Sequence, residues 1–415
     1  MGDSAKEIAL EIPSHSDNVS AALSTKRISL KGFESKEGFV GTSNDVGPDI
    51  GDVRHLYVHI PFCPKVCPYC SFYKEASDRN KTQAFLDSVL TELDAVAPVP
   101  LRCETIFFGG GTPSALSVSQ LRYLLSGLRN RLDLTQLKEW TLEMNPATVS
   151  LEKAERLRAA GVNRISMGVQ SWDPVLLEKL GRVHTAAQAE RSFRILRAAG
   201  YRNLNLDLIF GIPGQTLDQW MDSLRRTIDL GPEHISAYCL TYEEDTEYFR
   251  KFQAGEFAQD AEADAKFFEQ TMGLLTKAGY EQYEISNYAK SGYACEHNLA
   301  YWHGKDYLGL GPSAFSTIGN RRWQNVANTT RYIEAIQTGA DCWQFSEPVP
   351  ATTRKAESMA FGLRTDRGVS KSELESVSHE LPALIDAGYV SDDGYRIRLT
   401  PAGKLVADSI AELLV

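Results

Sequence analysis

The sequence predicts an α/β protein: a partial (β/α)6 barrel of TIM type, followed by a smaller α+β extension that ends in a winged-helix-like unit. Two observations carry this expectation. Short apolar or β-branched runs alternate with longer amphipathic stretches from residue 55 to about 285, the rhythm of βαβ units around a parallel sheet. Chemically unusual residues also recur just after those runs, at the strand ends where such barrels hold their sites. Six units fall short of the eight of a closed barrel, so the barrel is expected to be partial.

Taken in order, residues 1–50 are rich in Ser, Gly, Asp and Lys and keep no apolar period, which predicts a disordered tail. They contain no apolar leader core and carry Asp3, Glu7, Glu11 and Asp17, so neither a secretory nor a transit signal is expected and a cytoplasmic location follows. The barrel is expected over 51–285. Its strands are "HLYVHI" (55–60), "TIFFGG" (105–110), "WTLEMN" (140–145), "RISMGVQ" (164–170), "NLNLDLIFGI" (203–212) and "HISAYCLT" (234–241). These are near-continuous apolar runs, as strands covered on both faces require. Between them, "QAFLDSVLTELDAV" sets Phe85, Val89, Leu90 and Leu93 on one helical face, and Gly161 and Gly200 stand where C-caps belong. Residues 286–350 form an aromatic and Gly-rich segment, in which "CEHNLAYWHGKDYLGLGPSAFS" (295–316) reads as loop. Residues 351–415 read as the C-terminal unit, in which "LIDAGYVSDDGYRIRLTPAGKLVADSIAELL" gives helix, turn, hairpin and helix.

Composition narrows the function. A net charge of −10 over 415 residues argues against broad attraction to nucleic acid or anionic lipid. Residues 351–415 hold eight Lys/Arg against ten Asp/Glu, a difference of −2, so the winged-helix-like unit lacks the electrostatic footprint of a DNA reader and reads better as a protein-contact or lid module. Nothing approaches eighteen consecutive apolar residues, so no membrane span is expected, although peripheral contact with a membrane partner is compatible with this. Seven cysteines, an odd number, do not make a disulfide framework, and their clustering points to metal binding or catalysis.

The cluster lies in "HIPFCPKVCPYCSFY" (His59–Tyr73), where Cys63, Cys67 and Cys70 have C-x3-C-x2-C spacing and Phe72 holds the next alternate position. Structural zinc wants four ligands, usually from two separated pairs. No second pair follows, and His59 is at best a distant fourth ligand. A [4Fe–4S] cluster suits three thiolates better, with one iron left open for an exchangeable ligand. Pro61, Pro64 and Pro68 stiffen the loop. Downstream, Gly109–Pro113 ("GGGTP") has no side chains to block a ligand amine, Glu143 suits ribose hydroxyls, and Asp207 is an acid inside an apolar strand that needs a partner. Gln170 and Arg182 complete a polar ring, with Arg182 suited to a carboxylate. Cys103 and Cys239 read as core residues, and Cys342 gives no signal.

C-x3-C-x2-C after the first strand of such a barrel resembles the radical S-adenosylmethionine (SAM) superfamily. The resemblance implies that SAM chelates the open iron and that an electron from the cluster cleaves it to methionine and a 5′-deoxyadenosyl radical, with a separate electron donor for the cluster. Over residues 53–410, "YVHIPFC", "FFGGGTP", "RISMGVQS" and "DLIFGIPGQT" are similar to the oxygen-independent coproporphyrinogen III oxidase group. The matching positions imply SAM contacts at Tyr57, Gly110, Gly111, Thr112, Glu143, Gln170, Arg182, Asp207 and Thr241. The oxidases of that group carry a further cysteine where Phe72 stands. The haem chaperones of HemW type carry phenylalanine there and an H-N-x-x-Y-W motif, present as "HNLAYW" with His297, Asn298, Tyr301 and Trp302. The resemblance therefore implies a chaperone that binds haem and passes it to an acceptor protein, with coproporphyrinogen III oxidation as the alternative. A neutral imidazole is a good axial ligand for haem iron and Tyr and Trp can stack on a porphyrin, but Cys295 and His303 flank the motif and leave the choice of ligand open.

Overall fold

A computed structural model describes residues 50–76, 78–375 and 379–414. The expected tail over residues 1–50 therefore lies, apart from Ile50, outside the described residues.

The six expected strands form with their predicted boundaries shifted by at most two residues: β1 (His55–Ile60), β2 (Thr105–Gly110), β3 (Glu139–Met144), β4 (Arg164–Gln170), β5 (Leu204–Phe210) and β6 (His234–Cys239). They pair in parallel, each with its neighbour in sequence. Burial on both faces explains their composition: six of the seven residues of β5 are buried, which requires apolar side chains on either side of the sheet. The helices between them, among them α1 (Arg79–Val96), α2 (Val118–Arg129), α3 (Leu151–Ala160), α4 (Ala186–Ala198) and α5 (Leu217–Leu230), begin on side-chain caps. Asp78, Ser117, Ser150, Thr185 and Thr216 each accept a hydrogen bond from the third residue on, satisfying a donor that the helix leaves unpaired. Gly161 caps α3 at φ 109°, and Gly200, at φ 91°, follows α4, as the sequence suggests.

Helix α6 (Ala261–Lys277) leads into an antiparallel edge, β7 (Glu281–Gln282) and β8 (Asn287–Ala289), beside β6. The segment that reads as loop departs from expectation. Residues 296–318 hold helix α7 (Glu296–Trp302) and strands β9 (Tyr307–Leu310) and β10 (Phe315–Ile318). β9 pairs with β1 in parallel, and β10, β11 (Arg321–Asn325) and β12 (Trp343–Pro348) extend the sheet antiparallel. The sheet order is thus β7-β8-β6-β5-β4-β3-β2-β1-β9-β10-β11-β12. Glycine in "YLGLG" marks backbone proximity here, not a loop. A Cβ on Gly309 would stand 2.1 Å from the Phe315 carbonyl oxygen, so only glycine lets β9 and β10 approach.

Helix α8 (Thr329–Thr338) packs on α1, and α9 (Ala351–Leu363) opens the C-terminal unit. That unit has its own apolar cluster, with Leu363, Leu374, Ile397, Ile410 and Leu414 at its centre, and a three-stranded antiparallel sheet, β13 (Val369–Ser370), β14 (Val390–Asp392) and β15 (Arg396–Leu399). The expected hairpin is β14–β15. The expected final helix is two helices, Pro401–Leu405 and Ala407–Leu414, divided at Val406.

Candidate functional site

The C-terminal ends of the parallel strands enclose a cavity of about 620 Å³, within the range of small-molecule and cofactor sites. Cys63, Cys67 and Cys70 lie on its wall, together with Gly110, Gly111, Thr112, Glu143, Gln170, Arg182, Asp207 and Thr241. Side chains separated by almost 180 residues thus converge because each follows or ends a strand of one parallel sheet.

The cysteine loop leaves β1 and is held from several sides. Cys70 N–H donates to the Cys67 carbonyl at 3.3 Å. Thr112 Oγ1 stands 3.3 Å from Cys63 Sγ and Arg182 Nη1 3.6 Å from Cys67 Sγ. Lys74 Nζ donates to the Cys70 carbonyl. Burial raises the Cys63 and Cys70 thiols above their ordinary range. Among the described residues no three His, Cys, Asp or Glu side chains converge closely enough to share a single metal ion. A cluster asks for something else, since each iron takes its own thiolate. His59 is occupied elsewhere. Its Nε2 lies 2.9 Å from the Tyr73 carbonyl oxygen and its Nδ1 3.2 Å from Tyr57 Oη, and burial holds it down at about 4.

The glycine run presses against that loop. Gly110 adopts φ 102°, and a Cβ on it would strike the His59 ring at 2.5 Å. Gly111 donates its N–H to the Ile60 carbonyl at 2.8 Å. Gln170 has φ 67°, a left-handed conformation uncommon outside glycine. Arg182 Nη2 donates to the Gly168 carbonyl at 2.9 Å, while its buried Nε has no hydrogen-bond partner among the described residues. Asp207 finds the partner that its burial demands: Ser166 Oγ and Asn205 Nδ2 donate to it at 3.1 and 2.7 Å. Burial and the facing Asp207 push Glu143 up to about 8. Thr241 Oγ1 donates to Glu243 at 2.8 Å. Tyr57 is not on the cavity wall. Its ring lies under Gly109, stacked on Phe107 at 6.3 Å.

The "HNLAYW" residues do not act as one group. Trp302 lines the cavity. His297 sits at the opposite end of the barrel, where Nδ1 meets Thr105 Oγ1 at 2.8 Å and the ring packs on Phe107 at 5.2 Å. Burial, with His55 and Arg164 nearby, pushes it down to about 3. The neighbouring backbone N–H groups of Glu296 and His297 donate to Glu139, as does the Cys295 thiol. Asn298 is half-buried on the same helix. Tyr301, 42% exposed, packs between Trp302, Tyr307 and Phe361.

Sequence reasoning missed several wall residues. Tyr238 and Cys239 line the cavity from β6, with Asp264 beside Cys239, so Cys239 is not a core residue. Cys103 is, being fully buried. The inward period of β6, Ser236 then Tyr238, was a usable signal. Arg364, Lys404 and Asp408 close the cavity from the C-terminal unit, and no local pattern marks them.

Comparison with known proteins agrees with this geometry. A family model for the Radical SAM superfamily matches residues 57–227. The heme chaperone HemW of Bacillus subtilis (strain 168) is 35% identical over 371 residues, covering 86% of this chain and 98% of its own length. HemW of Escherichia coli (strain K12) is 36% identical over 372 residues, covering 87% and 97%. The solved structure of coproporphyrinogen III oxidase (HemN) from Escherichia coli, a radical SAM enzyme, overlays with a TM-score of 0.76 over 88% of this chain and 91% of that one, at 24% identity. At that identity the likeness bears on the fold.

Proposed function

This chain belongs to the family of HemW heme chaperones within the radical SAM superfamily, and from that premise we propose that it binds haem, carries a [4Fe–4S] cluster with SAM, and transfers haem to an acceptor protein. The observation that carries the reading is the continuity of one cavity from the three cysteines to Trp302. Cofactor and cargo then share a chamber.

The residues suit the cofactors. Three thiols face the chamber, and a Cβ on Gly110 or Gly111 would overfill the cradle beside them. In this reading Cys63, Cys67 and Cys70 ligate the cluster, and Arg182 holds the SAM carboxylate through its buried Nε, which has no hydrogen-bond partner among the described residues. The Gly110–Thr112 backbone and Asp207 hold its polar end, Glu143 its ribose, and Gln170 and Thr241 the remaining walls, with Tyr57 behind Gly109 as their support. When bound, the pair supplies one-electron cleavage of a sulfonium. The protein's part is orientation and the exclusion of water. Burial and Asp207 push Glu143 up to about 8, and hydroxyl donors reaching it would favour its carboxylate, the acceptor form. Trp302 faces the haem in the chamber, while His297, at the opposite end of the barrel on Thr105, positions α7 together with Asn298 and Tyr301. Phe72, 63% exposed on the chamber rim, stands where the oxidases have a cysteine and disfavours coproporphyrinogen oxidation.

Among the described residues no helix is long and apolar enough to cross a membrane, and a cytoplasmic location with peripheral contact to a membrane acceptor belongs to the same reading. Anaerobic reconstitution should give about four irons per chain, lost in Cys67→Ala. Haem titration of the same sample should show binding. Turnover of coproporphyrinogen III to protoporphyrinogen IX would overturn the chaperone assignment.

A further inference from the structure

The part of the cavity wall that the C-terminal unit supplies holds a pair of cations that the cofactor chemistry does not use. Arg364 and Lys404 face it from the C-terminal unit, with Trp302, Tyr238, Ile285 and Asp408 around them. Enclosed cations are costly unless anions or hydrogen bonds meet them, and here both are only partly met. Arg364 Nη1 pairs with Asp408, but its buried Nε has no hydrogen-bond partner among the described residues. The guanidinium carbon lies 5.3 Å from the Trp302 ring centroid, so the indole holds the fork in place. Lys404 Nζ donates to the Gln282 side-chain oxygen at 2.9 Å, and an ammonium has three donors. Asp366 and the buried Glu284 are the acids near Lys404, and burial outweighs them to lower its pKa. Tyr238 is 39% exposed although it stands on β6 inside the barrel, so that exposure is to the chamber. It stands near enough to Asp207, Glu143 and Glu284 to feel all three.

A planar apolar wall beside two cations describes a complement to a flat, apolar ligand with anionic groups on one edge. Resting on the haem reading above, we propose that Arg364 and Lys404 form a carboxylate subsite that takes the propionate arms of haem, with Trp302 and Tyr238 flanking the macrocycle. Asp408 then holds the place of a propionate carboxylate on Arg364. It partners Arg364 until a propionate takes its place, and the fork geometry of guanidinium is suited to that exchange.

The test compares haem with its dimethyl ester, which keeps the ring and iron and removes both negative charges. Each is titrated into the full-length protein and followed by its Soret band. The wild type should bind haem at least about tenfold more tightly than the ester, as charge-assisted hydrogen bonds imply. An R364Q/K404Q double variant should bind the two alike, and Asp408→Asn should bind haem no more weakly than the wild type. Equal affinity of the wild type for both ligands overturns the subsite and leaves the haem reading intact, and this comparison stands even if the variants fail to fold. Discrimination that persists in the folded double variant overturns the assignment to these residues. Binding of neither ligand overturns the haem reading itself.

Discussion

At Gly111 the backbone leaves no room for a side chain: a Cβ there would lie 2.6 Å from the carbonyl carbon of Pro61 and 2.7 Å from its oxygen. Since Pro61 begins the cysteine loop, Gly111→Ala should displace the loop, destabilise the protein by about 2 kcal/mol and lower the iron content after reconstitution. Gly273→Ala is the control. Its Cβ meets nothing within 4 Å and its backbone is helical, so it should be neutral or stabilising by up to about 1 kcal/mol. Denaturant titration and iron analysis of both variants decide the matter. The sequence showed a glycine run that keeps side chains away from a ligand, which is half of its role. That the run also brings β2 against the cysteine loop is a long-range contact that no local pattern encodes. The same holds for Gln170, whose positive φ is imposed by tertiary packing.

Glu92 is another residue whose behaviour depends on distant partners. On α1 it is buried and accepts hydrogen bonds from Gly311 N–H at 2.8 Å, Asn325 Nδ2 at 2.6 Å and Tyr332 Oη at 2.5 Å. These donors favour the carboxylate, but burial outweighs them and the group is pushed up to about 7. A carboxyl that binds its proton more tightly when folded loses stability as pH rises. Its contribution is full below about 4.5 and gone above about 7, a difference of order 3 kcal/mol. Stability measured by denaturant from pH 4.5 to 7.5 should fall by that order, and Glu92→Gln should flatten the fall whatever it does to the absolute value. An unchanged slope would remove Glu92 as its source.

At the scale of elements, α7 shows where reading a motif as a unit fails. "HNLAYW" can be found in the sequence, but its two ends meet different parts of the barrel: His297 reaches Thr105 at the start of β2, whereas Trp302 faces the chamber. Their variants should therefore separate. Trp302→Ala should weaken haem binding about tenfold, as loss of a stacked ring implies, while iron content stays at the wild-type level. His297→Ala, which loses the contact with Thr105, should lower the melting temperature and leave the Soret band alone. A shifted Soret band would instead make His297 an axial ligand. The parallel strands β1–β6 were legible because burial on both faces writes itself as apolar runs. β9 and β10 were not, because they are short and Gly309 of β9 serves backbone approach to β10, a signal that looks the same as a loop.

At the scale of the molecule, the chamber belongs to no single segment. Its cysteine end is built from the strand ends of the barrel. The rest of its wall includes Trp302, Arg364 and residues 404–408, which follow the Gly109–Gly111 run far along the chain. That arrangement follows from the sheet: β9 continues past β1 in parallel, and the chain returning through β10–β12 delivers α9 and the C-terminal unit to the open side. Charge and periodicity in residues 351–415 described a small domain, yet nothing local told which of its faces would close a cavity. A ligand that spans such a chamber protects what it touches against opening, and local opening is what amide exchange reports. SAM, added to the reconstituted protein, should slow exchange at residues 109–112, 143–145 and 168–170 and leave 361–365 and 403–408 as they were. Haem should do the reverse, slowing 361–365 and 403–408 together with 237–241. Protection of the C-terminal segments by SAM alone would show that the C-terminal unit closes on the cofactor and not on the cargo, and the division of the chamber into two ends would fail.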